Sequence, residues 1–423
     1  MHDLTLLAIM WIGVFAASFA AHHTRLTPVL WYLFFGAAMV NIGLLPLEMP
    51  VFISNFAELG IILIMFALGF EENTDNFLTS IKRSWGIAFF GAVTPFSIAY
   101  LSAFWFWGDH SMALFCGLAM GATTVALTMV SLKSEGLNKT PAATGIMTSA
   151  VLDNIASLAL VAAIVPIATG EASITVPGLF FLVLKAILFF LFITFLGAWL
   201  FPAISGWTAR IPFLGRFELR HVLAMGQGEY TMLALVLLAV LVAIAAHAFG
   251  FHSAVGAYMA GLVIKREYFD FHEHRKIDFH RQAKQMIDNV AFVWIGPIFF
   301  VTLGSHLVFD LAVVKTILPY GLILFAGLFF GQIFSAALAA HYTGRFTWPA
   351  SWMIGFGMLG RGELAFVVMD IAYVQHKLMS IEAFYTLMFA AFFLNITVPL
   401  TIRWWKKQFA GDESLASINT DGH

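Results

Sequence analysis

Residues 355–366 form the stretch GFGMLGRGELAF, in which four glycines surround Arg361 and Glu363 inside an otherwise apolar segment. A second apolar segment is interrupted by GATTVALTMV at residues 121–130, where Gly121 is followed closely by two threonines. Glycine-rich breaks free backbone carbonyls and helix ends, which a membrane helix tolerates only where they line a cavity or the protein interior. The two stretches therefore predict a pair of discontinuous membrane helices. The alternative interpretation is that these glycines serve close helix packing.

Composition places both breaks in a polytopic, all-α membrane protein. The chain has 423 residues, of which 61% are hydrophobic and 11% charged, and its mean hydropathy is +0.88. Soluble domains carry about 25% charged residues. The first apolar segment follows an acidic residue and has no A-x-A cleavage pattern, so we expect a retained helix and not a signal peptide. Windows of about 20 residues predict thirteen spans, near 4–21, 28–46, 50–70, 84–107, 111–133, 141–169, 175–203, 219–247, 252–266, 285–304, 313–341, 348–374 and 382–405.

The two breaks fall at corresponding positions of a predicted repeat. The first six spans can be laid over the last six, with the seventh as a connector, and each break then lies in the fifth helix of its half. Interrupted helices at matching positions indicate an inverted-repeat transporter whose binding site lies near the middle of the membrane. The predicted fold is therefore an inverted repeat of membrane helices, two of which are discontinuous.

Basic residues predict the orientation of the chain in the membrane. If the N-terminus lies outside, only Lys315 and Lys377 fall in outer loops, and nearly all other lysines and arginines fall in inner loops. Because basic residues concentrate in cytoplasmic loops, we expect an outside N-terminus and a cytoplasmic C-terminus in a bacterial-type inner (plasma) membrane, with anionic lipid at the inner face. Residues 412–423 are expected to form a disordered cytoplasmic tail.

The stretch TSAVLDNIAS at residues 148–157 supplies the candidate ion-binding group. It puts Asp153 and Asn154 next to each other in an apolar span, and a carboxylate in a membrane segment is costly enough to indicate a function. A partly buried carboxylate can bind either a hard cation or a proton. The hydroxyls of Thr123 and Thr124, with freed carbonyls, would complete an oxygen shell around such a cation.

Five stretches in a fixed order carry a resemblance to a known family. They are AELGIILIMFALGFE (57–71), GATTVALTMVSLKSEGL with SAVLDNIASLAL (121–160), GFHSAVGAYMAGLVI (250–264), GPIFFVTLG (296–304) and GMLGRGELAFVV (357–368). Together they resemble the cation:proton antiporter superfamily, specifically NapA-type sodium/proton antiporters and the membrane domains of Kef-type potassium efflux systems. The resemblance extends over nearly the whole chain.

The resemblance implies a secondary active monovalent cation/proton antiporter that serves pH homeostasis by alternating access. It implies one transmembrane unit, residues 1–411, and a homodimer. Within that unit, a mobile core of about 50–169 and 285–405 would move against a dimerisation scaffold of about 4–46 and 175–266. The expected substrates are Na⁺ or K⁺ and protons, with no cofactor, no enzymatic activity and no nucleic-acid partner. The resemblance also implies that the two discontinuous helices, spans 5 and 12, cross each other, and that the sixth span brings Asp153 and Asn154 to this crossing. The expected supporting residues of the core are Gln332, Glu363, Arg361, Glu58 and Ser149.

The chain departs from the family pattern at two positions. NapA-type members have consecutive aspartates, the second of which is the principal ligand, and Kef-type members keep the second; this chain has Asp153 followed by Asn154. The family's midmembrane lysine position falls on Gln332. A single carboxylate exchanging one cation for one proton predicts electroneutral transport. Asn154 is either a natural, working variant or, as a near-isosteric Asp→Asn change, an engineered lock on an ordinary antiporter.

Three function classes remain open from the sequence. The first is the antiporter, with sodium favoured over potassium because no nucleotide-binding gating domain is attached. The second is a transporter of the same fold for another solute, such as an organic anion held by helix N-termini. The third is a transport-inactive membrane sensor. The charged loop at 265–285, with His272, His274 and His280, predicts either a pH sensor or an amphipathic helix on the anionic inner leaflet.

Overall fold

The structure is a computed structural model that describes residues 3–24, 26–71, 74–124, 126–168, 188, 193, 230–264, 266–269 and 278–409. Within these ranges the chain is helical and contains no strand. The α-helices are α1 (Asp3–Thr24), α2 (Pro28–Asn41), α3 (Val51–Glu71), α4 (Thr74–Trp107), α5 (His110–Gly121), α6 (Ala126–Ser134), α7 (Pro141–Ala168), α8 (Thr231–Ala248), α9 (Ser253–Val263), α10 (Phe279–Asn289), α11 (Gly296–Ser305), α12 (Leu311–Tyr342), α13 (Trp348–Gly357), α14 (Glu363–Asp370) and α15 (Ile381–Phe409). Short π-helical turns at Val290–Trp294 and Ile371–Gln375 follow α10 and α14.

The predicted spans agree closely with these helices. Every predicted span contains helical residues among those described, although in the span 175–203 only residues 188 and 193 are described. Among the described residues eight helices are long and apolar enough to cross a membrane. Both predicted breaks are present: one separates α5 from α6, and the other separates α13 from α14. The all-helical fold is thus confirmed. The count of thirteen spans stays a prediction, because all but two residues of 175–203 lie outside the described ranges. The tail at 412–423 also lies outside them.

Contacts within the chain define two compact units. One comprises Met1–Trp11, Glu48–Thr74 and Val161–Thr302, and the other comprises Ile12–Leu47, Asp75–Leu160 and Leu303–His423. The second unit contains both broken helices. These boundaries differ from the predicted core and scaffold, which assigned 50–70 to the core and 28–46 to the scaffold. The core and scaffold were defined by relative motion, so that division stays a prediction.

In the first unit, α3 and α9 pack together through glycines. A Cβ added to Gly261 would overlap the Phe66 carbonyl oxygen and approach the Phe70 nitrogen to 2.6 Å. On the facing helix, a Cβ added to Gly69 would overlap the Tyr258 carbonyl oxygen. Small residues at such an interface let two membrane helices approach until their backbones touch. The two glycines therefore set the spacing of α3 and α9.

The charged loop at 265–285 forms an amphipathic helix in its second half. Asp278 caps α10 by accepting a hydrogen bond from the Arg281 N–H at 3.0 Å, and it pairs with Arg266 at 3.0 Å. Hydrogen bonding to that N–H holds the pKa of Asp278 below its usual value. The apolar face of α10 buries Ala283 and Ile287. His280 stacks on Phe70 with ring centroids 5.1 Å apart, whereas His272 and His274 lie outside the described residues.

We expect Gly261→Ala to destabilise the protein, although alanine is the better helix former. The added methyl would meet backbone atoms that cannot move aside, and overpacking of this kind costs about 1–3 kcal/mol. The matched control is Gly13→Ala, whose methyl would meet only the flexible end of Met39. Thermal unfolding of both purified variants checks this expectation. Equal melting temperatures for Gly261→Ala and the parent would contradict the role given to Gly261.

Candidate cation site

The two helix breaks are bonded directly to each other. Between α5 and α6 the chain is extended, with Ala122 at φ −73° and ψ 125°. The Thr124 N–H in this segment donates to the Gly360 carbonyl of the other break at 3.0 Å. One turn further on, the Thr128 hydroxyl donates to the Gly357 carbonyl at 2.6 Å, where α13 ends. Backbone groups freed by each break are thus partly satisfied by the other.

The glycines of the second break make this contact sterically feasible. A Cβ added to Gly362 would overlap the side chain of Thr124, and one added to Gly360 would lie 3.0 Å from its Cγ2. A Cβ on Gly357 would meet Ile146 at 2.5 Å and Thr128 at 3.0 Å. These glycines therefore do serve close packing, which was the alternative interpretation of the sequence. Here the close packing is what holds the two breaks together.

The two threonines of the first break serve different partners. Side chains of consecutive residues in an extended segment point to opposite sides. Accordingly, Thr123 donates from both its backbone N–H and its hydroxyl to Asp153 on α7, at 2.9 and 2.6 Å. Thr124 donates its hydroxyl to Glu363, the first residue of α14, at 3.3 Å. The extended pair thus joins α7 to both broken helices.

Asp153 is an almost completely buried carboxylate with one committed oxygen. Its exposed fraction is 1%. Both hydrogen bonds from Thr123 go to Oδ2, whereas Oδ1 is buried and has no hydrogen-bond partner within the described residues. A buried polar atom without a partner costs free energy and calls for an explanation. The carboxylate of Asp153 thus leaves one buried oxygen without a protein partner in the described part of the chain.

Arg361 is a fully buried cation held by carbonyl and amide oxygens. Its guanidinium donates to Gln332 Oε1 at 3.1 Å and to the Met358, Leu359 and Gly360 carbonyls at 3.2, 3.4 and 3.2 Å. Gln332 in turn donates from Nε2 to the Gly91 carbonyl at 3.0 Å. The guanidinium therefore bonds to Gln332 and not to Glu363, and it interacts electrostatically with Asp153.

Charges at the crossing match the helix ends that meet there. Arg361 lies just beyond the C-terminal end of α13, where a positive charge is favourable. Glu363 lies in the first turn of α14, and Asp153 accepts the Thr123 N–H just before α6 begins. A negative charge is favourable at both of these helix N-termini. The geometry therefore arranges one fixed cation and two carboxylates around four helix ends.

Asn395 on α15 is a site residue that the sequence analysis did not single out. Its Oδ1 accepts the Arg361 N–H at 2.9 Å, and its Nδ2 donates to the Arg361 carbonyl at 2.7 Å. Arg361 lies between two helices, so its backbone groups are not bonded within a helix, and Asn395 supplies a partner for both of them. The signal available in the sequence was an amide side chain in an otherwise apolar span, which is a feature of functional sites in membranes.

The remaining predicted site residues are distributed more widely. Asn154 is buried beside Asp153, but consecutive residues of a helix point about 100° apart, so it does not share the Thr123 contacts. Ser149 is buried and donates to the Ser84 carbonyl at 3.4 Å, joining α7 to α4. Glu58 was expected to support the core, whereas the structure places it on an exposed position of α3. Its neighbours Ala57 and Gly60 take the buried face of that helix.

An ion-pair cluster fixes the end of the first broken helix that lies away from the crossing. Glu135, directly after α6, pairs with Arg403 and Lys406 of α15, each at 3.2 Å. The hydrogen bond from Lys406, followed by the charges of both cations, holds the pKa of Glu135 below its usual value. Exposed pairs of this kind contribute little to stability individually. Their position nevertheless ties α6 and α15 together at one end, while Asn395 ties α15 to the crossing.

Comparison of the chain with known proteins identifies the family to which it belongs. A family model described as "Sodium/hydrogen exchanger, transmembrane" matches residues 7–408. The chain belongs to the sodium/hydrogen exchanger family. This family consists of membrane transporters and not enzymes, and its ions are substrates. The resemblance seen in the sequence is therefore confirmed, and the chain is a multi-pass membrane protein of a cation/proton antiporter family.

Individual relatives of this exchanger are distant in sequence. The chain is 25% identical to a probable Na⁺/H⁺ antiporter, GerT, of Bacillus cereus, over 75% of this chain and 76% of that one. It is 21% identical to an Na⁺/H⁺ antiporter of Enterococcus hirae, over 95% and 98% of the two chains. The solved structure of the sodium proton antiporter MjNhaP1 from Methanocaldococcus jannaschii at pH 8 has a similar fold, with a TM-score of 0.66, 14% identity and 99% of each chain covered.

We expect Asn395→Leu to destabilise the exchanger more than a change elsewhere on the same helix. The leucine would leave the buried N–H and carbonyl of Arg361 without their partner, at about 1–3 kcal/mol for each unsatisfied group. The control is Thr397→Val, which removes a hydroxyl bonded within its own helix, to the Leu394 carbonyl. Thermal unfolding of the purified variants measures the difference. Equal melting temperatures for the two variants would contradict the role given to Asn395.

Proposed function

We propose that this protein is a sodium/proton antiporter in which Asp153 is the exchanging group. The observation that carries the proposal is the asymmetry of its carboxylate. Thr123 holds Oδ2 with two hydrogen bonds, while the buried Oδ1 has no partner in the described part of the chain. Oδ1, which has no hydrogen-bond partner there, binds a proton or a sodium ion in turn. Membership of the exchanger family and the names of two relatives support sodium as the cation.

The crossing offers further oxygen ligands for a hard cation. The Thr123 and Thr124 hydroxyls lie at the first break, and the amide oxygen of Asn154 belongs to the residue next to Asp153. Na⁺ prefers such oxygen donors, as other hard cations do. An amide binds a cation through its carbonyl oxygen but does not exchange protons near neutral pH. Asp153 is therefore the group that titrates, and the hydroxyls and Asn154 adjust how tightly the cation binds.

Arg361 supports an electroneutral cycle. The site does contain a fixed cation, although the family's lysine position holds Gln332 here. A guanidinium remains protonated in proteins, so Arg361 keeps its charge whether Asp153 holds a proton or Na⁺. It does not act as a second titrating group. One Na⁺ is then exchanged for one proton, and no net charge moves in a complete cycle.

The remaining parts of the proposal concern the assembly. We place the protein in a bacterial plasma membrane, with its N-terminus outside and its C-terminus in the cytoplasm, on the distribution of basic residues. It works as a homodimer, in which a core carrying the crossing moves against a scaffold by alternating access. Bacterial relatives and the family support this arrangement. The bilayer supplies anionic lipid at the inner face, next to the basic loops.

We expect Asp153→Asn to abolish sodium-dependent proton movement. Asparagine preserves an acceptor for Thr123 but removes the only proposed proton-exchanging group, so the loss is at least about 100-fold. Proteoliposomes with an internal pH dye and an imposed pH gradient, given Na⁺, K⁺ or Li⁺ in turn, measure the exchange. Asp310→Asn is the matched control, because Asp310 caps α12 by accepting from the Ala312 N–H and asparagine caps equally well.

The same assay decides the role of Asn154. If the chain as it stands exchanges protons for Na⁺, Asp153 is sufficient and Asn154 is part of a working site. Activity in Asn154→Asp alone would identify Asn154 as a lock, and full activity in Asp153→Asn would overturn the proposal. An exchange driven by an organic anion and not by any of the three cations would favour the other transporter class. No response to any solute in either variant would favour the inactive sensor.

We expect the exchange rate to be independent of membrane potential. Moving one net charge through 100 mV is worth about 2.3 kcal/mol, so an electrogenic cycle would respond strongly to an imposed potential. The measurement uses the same proteoliposomes at zero pH gradient, with a potassium diffusion potential set by valinomycin. A rate that changes several-fold between 0 and about 100 mV would show that a net charge crosses the membrane in each cycle.

A further inference from the structure

Asp370 is a third buried carboxylate, after Asp153 and Glu363, and it lies away from the crossing. It is the last residue of α14, and its exposed fraction is 8%. Ionisable side chains inside a membrane protein are costly, and they mark ion pathways and proton relays. An acid at this place on a discontinuous helix therefore requires a reason beyond packing.

The helix geometry aligns Asp370 with the crossing. It follows Glu363 by seven residues, which corresponds to about 10 Å along the axis and a rotation within about 20° of the same face. Glu363 accepts from Thr124 at the crossing. α14 packs along α5, and the Ser380 N–H donates to Met112 Sδ at 3.4 Å near the start of α5. Asp370 thus lies on the stripe that leads from the crossing to the membrane face where α5 begins.

A π-helical turn connects this carboxylate to the surface. Ile371–Gln375 follows Asp370 directly, and Gln375 Nε2 donates to Asp370 Oδ2 at 2.7 Å. Gln375 is exposed, whereas Asp370 is buried. π turns within helices are often found at functional sites. Here the turn lets an exposed amide side chain donate a hydrogen bond to a buried acid.

We propose that Asp370 is a relay carboxylate that passes Na⁺ and protons between Asp153 and the membrane face where α5 begins. The proposal rests on the exchange proposed for Asp153. Asp370 accepts the ion from one side and releases it to the other, so its own charge is restored in every cycle. The stoichiometry is therefore still set by Asp153, whereas access from one face depends on Asp370.

The test compares Asp370→Asn with Gln375→Met in right-side-out and inside-out membrane vesicles. Asparagine still accepts a hydrogen bond from Gln375 but carries no charge, whereas methionine removes the hydrogen bond and leaves the carboxylate. We expect Asp370→Asn to raise the half-saturating Na⁺ concentration about tenfold from one face only, which corresponds to about 1.4 kcal/mol of lost attraction. Gln375→Met should cause a smaller change at the same face, and Asp370→Glu should restore access.

The outcomes separate a relay from a structural role. If Asp370 serves only to hold the π turn, Asp370→Asn behaves as the parent does and Gln375→Met is the damaging change. Equal shifts of the half-saturating concentration at both faces would also overturn the relay. Thermal unfolding identifies a variant that simply fails to fold, and in that case Asp370→Glu alone decides: unchanged access supports the relay, and lost access overturns it. Failure of the underlying function appears separately, as full exchange in Asp153→Asn.

Discussion

The structure of the site depends on one constraint, which is that two helices interrupted inside a membrane must satisfy the backbone groups they free. Each break supplies the other with a partner, through the Thr124 N–H and the Gly360 carbonyl. That bond forms because Gly360 and Gly362 have no side chains to keep Thr124 away. The contact at the crossing then fixes where the neighbouring side chains of the site lie.

The polar network around the crossing follows from this contact. The side chain of Asn395 forms hydrogen bonds with both backbone groups of Arg361. The Arg361 guanidinium donates hydrogen bonds to backbone carbonyls after α13 and to the side chain of Gln332. A buried charge is tolerated only when it is hydrogen-bonded in this way. The result is a fixed positive charge beside Asp153, which replaces the expected lysine with a group that does not titrate.

The chemistry proposed for Asp153 requires a rigid surrounding and one free ligand position. Thr123 restrains one carboxylate oxygen through two short hydrogen bonds, and the other oxygen is left without a protein partner in the described residues. The surrounding helix ends favour negative charge at the two N-termini and positive charge beside the C-terminus of α13. In the proposed cycle, Asp153 alternates between two occupants while the charges around it remain constant.

The sequence by itself determined the class of fold, nearly all helix positions and both breaks, because hydrophobic length and glycine spacing are local properties of a membrane chain. It also identified Asp153 and Thr123, since polar residues in apolar spans stand out. It did not assign Asn395 to the site, it indicated a core role for the exposed Glu58, and it did not connect Arg361 with Gln332. Those outcomes depend on which helix faces meet, and residues such as Gln332 and Arg361 are far apart in the chain. Only the tertiary structure decided them, because a buried polar group in a membrane takes the partner that packing brings within hydrogen-bond distance.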